Sequence, residues 1–146
     1  MKCKLITTAS NIDKTVMLQK SLKKYGWEYE ILVHKWEGFG DKILKTYQYL
    51  KNNPDIDYFF YSDSYDTIVL DTMENTLNKI KDKDCILMSA ERGCYPHPEK
   101  ENLYPKHDSP WHFVNGGGWF CNSEIFKKAV ESNPLQSYDV DQVWFT

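Results

Sequence analysis

A layered α/β fold, in which helices cover both faces of a mostly parallel sheet, is the class this sequence predicts. Two observations predict it. Apolar runs of strand length alternate with stretches of helical period, in the order β-α-β-α-β-α-β. One of those runs, Tyr58-Phe59-Phe60, is continuous rather than alternating, as a central strand covered on both sides requires.

The elements follow in order. Residues 2–9 form the first strand, with Leu5 and Ile6 at its centre. A helix follows, capped by Asn11 or Asp13, with Ile12, Val16, Leu22 and Tyr25 on one face and Gly26 as its stop. "WEYEILVHK" (27–35) reads as the second strand. "DKILKTYQYLKNN" (41–53) is helical, with Ile43, Leu44, Tyr47 and Leu50 at helical spacing and Pro54 just beyond. "DYFFYS" (57–62) is the third strand. "DTMENTLNKI" (71–80) is a helix with Asp71 as cap, Glu74 as its capping-box partner and Met73, Leu77 and Ile80 as buried stripe. "DCILMSA" (84–90) is the fourth strand. Residues 91–111 carry four prolines and no apolar period, which predicts a long loop of the kind that serves function. After "HFVNGGGWF", a short helix starts at Asn122 or Ser123 and carries Ile125, Phe126, Ala129 and Val130. There is no internal repeat or linker, so residues 1–146 read as a single domain, long enough to bury a core.

Composition narrows the function. A formal charge of −3 supplies no basic field for non-specific attraction to nucleic acid, so no nucleic-acid partner is expected. Lysines between Lys20 and Lys24 read as a solvated helix face. No apolar stretch is long enough to span a bilayer. "MKCKLITTAS" is too short and polar for a secretory signal, so a cytoplasmic location is expected. Cys3, Cys85, Cys94 and Cys121 lack the close pairs of a zinc site and are expected to be reduced thiols, three of them with core-packing roles. Five Trp, ten Tyr and seven Phe suit both a dense core and a site that stacks planar or sugar rings.

In such sheets, ligands bind beyond the carboxyl ends of the strands. Asp63, Asp66 and Glu91 fall there. "YSDSYD" (61–66) admits three readings. The aspartates brace a turn, which is the commoner case for six residues alone. Alternatively they are the nucleophile and acid of an aspartate-based phosphohydrolase, although that chemistry uses aspartates two positions apart and here they are three apart. Or they hold a divalent cation against a diphosphate, since hard oxygen ligands suit Mg²⁺ or Mn²⁺. A nucleotide-sugar donor needs such an ion to stabilise its leaving group. "TTASN" after the first strand rules against a glycine-cradled dinucleotide or Walker loop.

Glu91 opens "ERGCYP" at a strand end, which reads either as a loop start with a cis-prone Tyr-Pro bond or as a carboxylate facing the same cleft as Asp63, with Tyr95 placed to cover a sugar. "VNGGGW" is either a turn or backbone that must approach a ligand closely. "YDVDQVW" sets Asp139, Asp141 and Gln142 before an aromatic, fit for a helix cap or for sugar contacts. His34, His97, His107 and His112 share no metal-ligand spacing.

Taken together, "WEGFGDK", "YSDSYDTIVL", "LMSAERGCYPHP", "NLYP", "FVNGGGWF" and "DVDQVWFT" resemble the glycosyltransferase domain of procollagen lysyl hydroxylases and related collagen glycosyltransferases, from about Trp36 to Thr146. The resemblance implies a GT-A (Rossmann-like) fold, a UDP-hexose donor, Mn²⁺ (or Mg²⁺) and a hydroxyl acceptor on protein or glycan. It also implies retention of anomeric configuration. By the same resemblance, Asp63 and Asp66 match metal ligands and Tyr65 a uridine contact. Thr7 or Thr8, Lys42, Tyr95, Asn115, Gly116, Gly117 and Gln142 fall on donor-binding positions, and Glu91, Asp139 and Asp141 on the catalytic side. Tyr95 stands where the family commonly has Trp, and Gly116 where it has Ser. The family's third metal ligand is a histidine well beyond the Asp-Gln block, so a C-terminally incomplete domain is expected, its alternative being a non-catalytic fragment that binds nucleotide at most.

Overall fold

A computed structural model describes residues 1–80 and 85–146. Five strands form one sheet: β1 (Cys3–Ala9), β2 (Tyr29–Val33), β3 (Tyr58–Ser62), β4 (Leu87–Glu91) and β5 (Phe113–Asn122), in the order β2-β1-β3-β5-β4. β1 pairs in parallel with β2 and β3, whereas β5 runs antiparallel to both β3 and β4. Four strands therefore share one direction, and the predicted mostly parallel sheet holds. The strand predicted over 84–90 corresponds to β4; its first residue, Asp84, lies outside the described residues.

β5 corrects the sequence reading. The glycine run is neither a turn nor a loop but the middle of the longest strand, paired from Tyr58–Asn122 to Ser62–Gly118 along β3. Glycine is disfavoured in strands, so propensity hides this one.

Helices α2 (Asp41–Asn52) and α4 (Ser123–Ser132) cover one face, and α1 (Val16–Lys24) and α3 (Met73–Ile80) the other. The pleat sorts the side chains: Ile6, Phe59 and Cys121 join Ile43, Leu50, Phe126 and Val130 on the first face. Leu5 and Phe60 meet Leu18, Leu22 and Trp27 on the second. Phe59 and Phe126 meet edge to face with centroids 5.0 Å apart, both fully buried, and each contributes roughly 1.5–3 kcal/mol of burial free energy.

Local chemistry sets the boundaries. Asn122 caps α4 by accepting from the Glu124 and Ile125 amides. Gly26 ends α1 at φ +67, a backbone state that favours glycine. Two predictions shift. Residues 12–15 form a 3-10 turn ahead of α1, which rotates the buried stripe onto Thr15, Leu18 and Leu22 and leaves Ile12 and Val16 exposed. The α3 cap is Thr72, whose hydroxyl accepts from the Asn75 amide; Asp71 instead braces Thr72 and Asn75 from outside.

The loop over 91–111 contains a 3-10 helix, Pro98–Leu103, and a cis Tyr95–Pro96 bond. Near the chain end, α5 (Asp141–Trp144) follows, and Trp144 and Phe145, both partly buried, pack against the core. All four cysteines are free, with Cys3 and Cys121 buried. No helix among the described residues is long and apolar enough to cross a membrane.

Candidate active site

Chain order reverses between β1 and β3, since β1 hands on to β2 on one side and β3 lies on the other. Beyond the carboxyl ends of those two strands lies a cleft of about 440 Å³, lined by Thr8, Ser10, Trp36, Phe39, Lys42, Asp63, Tyr65 and Asp66 among others. This is the topological switch point where open α/β sheets bind ligands.

Its floor is a charged cluster. Lys42, in the first turn of α2, places Nζ 2.8 Å from Asp63 Oδ1, 3.1 Å from Asp141 Oδ2 and 3.4 Å from the Gly116 carbonyl. Lys42 and Asp141 are nearly sealed, their side chains 8% and 3% exposed, whereas Asp63 opens to the cleft at 38%. Asp141 Oδ2 is buried and meets the ammonium as an ion pair without the alignment of a hydrogen bond. Burial raises the Asp141 carboxyl above the ordinary aspartate value, although the Lys42 ammonium pulls it down. Burial likewise opposes the charge on Lys42, but the carboxylates of Asp63 and then Asp141 outweigh it and hold its pKa above the ordinary lysine value.

Two of the three glycines make room for this cluster. A Cβ on Gly116 would lie 2.7 Å from Asp141 Cγ, and one on Gly117 2.8 Å from Asn115 Oδ1 and 3.2 Å from Asp63 Oδ2. Asn115 Oδ1 accepts from the Gly117 amide, and the Gly117 carbonyl accepts from the Asp63 amide, so β5 holds Asp63 through its backbone.

Asp41 precedes Lys42 at the start of α2. That buried carboxylate accepts from the Glu37 amide at 2.8 Å and faces His34 Nε2 at 3.3 Å. Burial would raise its pKa, but these contacts and one from Ser137 hold it below the usual value. Gly38 and Gly40 let the same loop lie against residues 136–138, where Gly40 donates to the Ser137 carbonyl.

Tyr65 is fixed at its hydroxyl, which lies 2.9 Å from the Ser10 amide, 3.0 Å from the Asn11 amide and 3.0 Å from Ser10 Oγ. Partial burial would raise its pKa, but the Ser10 hydroxyl and the Asn11 and Ser10 amides outweigh it and lower it. The ring itself stays exposed on the cleft wall.

Of the residues singled out in sequence, Thr8, Lys42, Asp63, Tyr65 and Asp66 share the cleft. Thr7 does not: it is fully buried and donates to the Ser62 carbonyl. Glu91, Tyr95 and Gln142 form a second group. Gln142 Nε2 lies 2.7 Å from Glu91 Oε1, 3.1 Å from the Tyr95 carbonyl and 2.8 Å from the Val114 carbonyl, and it lines, with Tyr95, a separate cavity of about 250 Å³. Asn115, Gly116, Gly117 and Asp141 lie between the groups. Asp139 takes a turn role, accepting from the Gln136 amide at 2.7 Å. Trp36, Phe39 and Ser10 line the cleft without having been picked from sequence; "WEGFGDK" held the first two, but nothing in their spacing told which way they face.

Among the described residues, no three His, Cys, Asp or Glu side chains gather as a metal cage. Asp63 and Asp66 still fit Mg²⁺ or Mn²⁺, which use one or two carboxylates and take waters and phosphate oxygens for the rest.

The chain is 32% identical over 99 residues to a procollagen-lysine,2-oxoglutarate 5-dioxygenase of Drosophila melanogaster, over 66% of the chain and 13% of that protein. It is 24% identical over 147 residues to an uncharacterized protein of Acanthamoeba polyphaga mimivirus, covering 92% of the chain and 32% of that protein. The chain thus spans under a third of the length of these curated relatives. In fold it is similar to a glycosyltransferase involved in glycosylating the major capsid of PBCV-1, with a TM-score of 0.57 and 14% identity over 97% of the chain and 73% of that structure. The family model of the PLOD GT domain matches residues 2–146, so this chain belongs to the PLOD GT domain family, as a GT-A-like glycosyltransferase domain.

Proposed function

We propose that this domain binds a UDP-hexose with Mn²⁺ or Mg²⁺ and passes the hexosyl unit to a hydroxyl on a protein or glycan. The observation that carries the proposal is the meeting of Asp63, Asp66, Lys42 and Tyr65 on one cleft at the switch point of the sheet. Its volume of about 440 Å³ lies within the usual range for small-molecule sites. Asp63 and Asp66 would hold the cation, which when bound stabilises the negative charge on a diphosphate leaving group. Lys42 supplies a fixed positive charge at the cleft floor for the same diphosphate. Tyr65, pinned through its hydroxyl, offers a ring face to a planar base. In the transfer, the bond from the anomeric carbon to the diphosphate oxygen breaks and one to the acceptor oxygen forms; the acceptor proton goes to a base or solvent and UDP leaves. Glu91, held by Gln142, sits on the side away from Tyr65 and suits contacts to the sugar or acceptor.

Calorimetric titration of UDP with and without Mn²⁺ tests this. The wild type binds UDP only with the cation, Asp63→Asn and Asp66→Asn lose that binding while folding normally, and UDP-hexose is slowly hydrolysed without acceptor. UDP binding without hydrolysis marks a non-catalytic relative. Turnover of an aryl phosphate that vanishes in Asp63→Asn would replace the transferase by an aspartate-based phosphohydrolase.

A further inference from the structure

We infer that Lys42 is a tethered counter-cation that stands beside Asp63 in place of the divalent ion, so that ion and diphosphate enter the site together rather than one before the other. The inference rests on the cation–diphosphate reading above and concerns the order of events at the site.

Lys42 is enclosed by two carboxylates and a carbonyl: its ammonium pairs with Asp63 Oδ1 at 2.8 Å and Asp141 Oδ2 at 3.1 Å and donates to the Gly116 carbonyl at 3.4 Å. Its charge also lies 5.6 Å from the centroid of the Phe39 ring. The ammonium is thus paired within the protein itself. While it stays there, one oxygen of Asp63 is engaged by the ammonium. A dication arriving alone meets a half-used carboxylate next to a fixed positive charge. A diphosphate changes both conditions, because its oxygens complete the ion's coordination and offer the flexible lysine stem a new acceptor. Nucleotide therefore strengthens cation binding by more than its own ligand oxygens would, and by reciprocity the cation strengthens nucleotide binding equally.

The experiment compares two proteins that differ only in the lysine. Asp141→Asn and the double variant Lys42→Met/Asp141→Asn keep Asp63 and Asp66, and the second leaves no buried carboxylate without its partner. Mn²⁺ affinity is measured by electron paramagnetic resonance of the free ion, with and without UDP. Without UDP, the double variant is expected to bind Mn²⁺ at least tenfold more tightly than Asp141→Asn, and UDP is expected to raise that affinity by a smaller factor. A wild-type measurement serves if the double variant does not fold: the side-chain NMR signal of Lys42 stays in place with Mg²⁺ alone and moves when UDP is added with Mg²⁺. Equal Mn²⁺ affinities in the two variants, or a Lys42 signal that moves with Mg²⁺ alone, overturn the inference while leaving the cation site standing. Absence of Mn²⁺ binding in wild type and variants alike, with UDP present, overturns the cation–diphosphate reading and this inference with it.

Discussion

Lys42 shows what one residue carries. Asp141 has a folded-state pKa above its ordinary 3.8, so the stability linked to it is complete below that pH and is lost as pH rises through the raised value. Lys42 is raised above 10.5, so its contribution is intact below that pH and is lost as pH climbs through the folded value. Lys42→Met leaves Asp141 buried without its partner, which costs about 3–5 kcal/mol at neutral pH. As pH falls through the raised value, Asp141 takes up a proton and the cost shrinks. Urea denaturation of both proteins at pH 7 and pH 4 checks this; an equal gap at the two pH values would mean lost packing rather than a stranded charge. Tyr65→Phe is the milder case. It strips the acceptor from the Ser10 and Asn11 amides, but water replaces it at this exposed position, so stability falls by less than about 1 kcal/mol. Affinity for UDP, measured by calorimetry, falls further, because the ring is no longer pinned to the cleft wall.

Among the elements, β5 is the one on which the site depends. It is a strand with poor strand formers, Asn115 and the three glycines, at its centre, and two of those glycines are spaces that Asp141 and Asp63 occupy. Gly116→Ala drives a methyl into the Asp141 carboxylate and costs about 1–3 kcal/mol, with loss of UDP binding. Gly118→Ala makes only ordinary van der Waals contacts, with Ser89 Oγ at 3.4 Å, Ser89 Cβ at 3.7 Å and the Tyr61 carbonyl at 3.8 Å, and stays within about 0.5 kcal/mol of wild type. The difference in thermal midpoint between these neighbours separates the space requirement from any general dislike of alanine in the strand. Sequence flagged the glycines as a place of close approach and missed that the approaching groups are the protein's own carboxylates.

On the scale of the molecule, the two groups of site residues come from different parts of the chain and adjoin at α5, where Asp141 pairs with Lys42 and Gln142 holds the second group. Its amide ties α5 to Glu91, to the Tyr95 carbonyl at the start of the long loop and to Val114 on β5. Gln142→Ala removes these ties at once while leaving the apolar core beneath untouched. Limited proteolysis is then expected to cut within residues 92–111 several times faster than in wild type, with a thermal midpoint only slightly lower. Unchanged cleavage would place the anchoring of that loop elsewhere, for example in the contact of Tyr104 with Phe113 at 5.1 Å.

What the sequence determined by itself was whatever is written locally. The alternation of apolar runs and helical periods named the α/β class, because side-chain burial repeats every second residue in a strand and every third or fourth in a helix. Gly26 and Asn122 marked helix ends through backbone freedom and capping chemistry. Asp63, Tyr65 and Asp66 could be named from a single block, since they follow one strand end. Tertiary structure alone decided the rest. The antiparallel course of β5, the meeting of Lys42, Asp63 and Asp141 across 99 positions of sequence (141 − 42), and the retreat of Thr7 into the core are long-range outcomes. They depend on which strands pair and how closely their backbones pack, and no short stretch of residues contains that information.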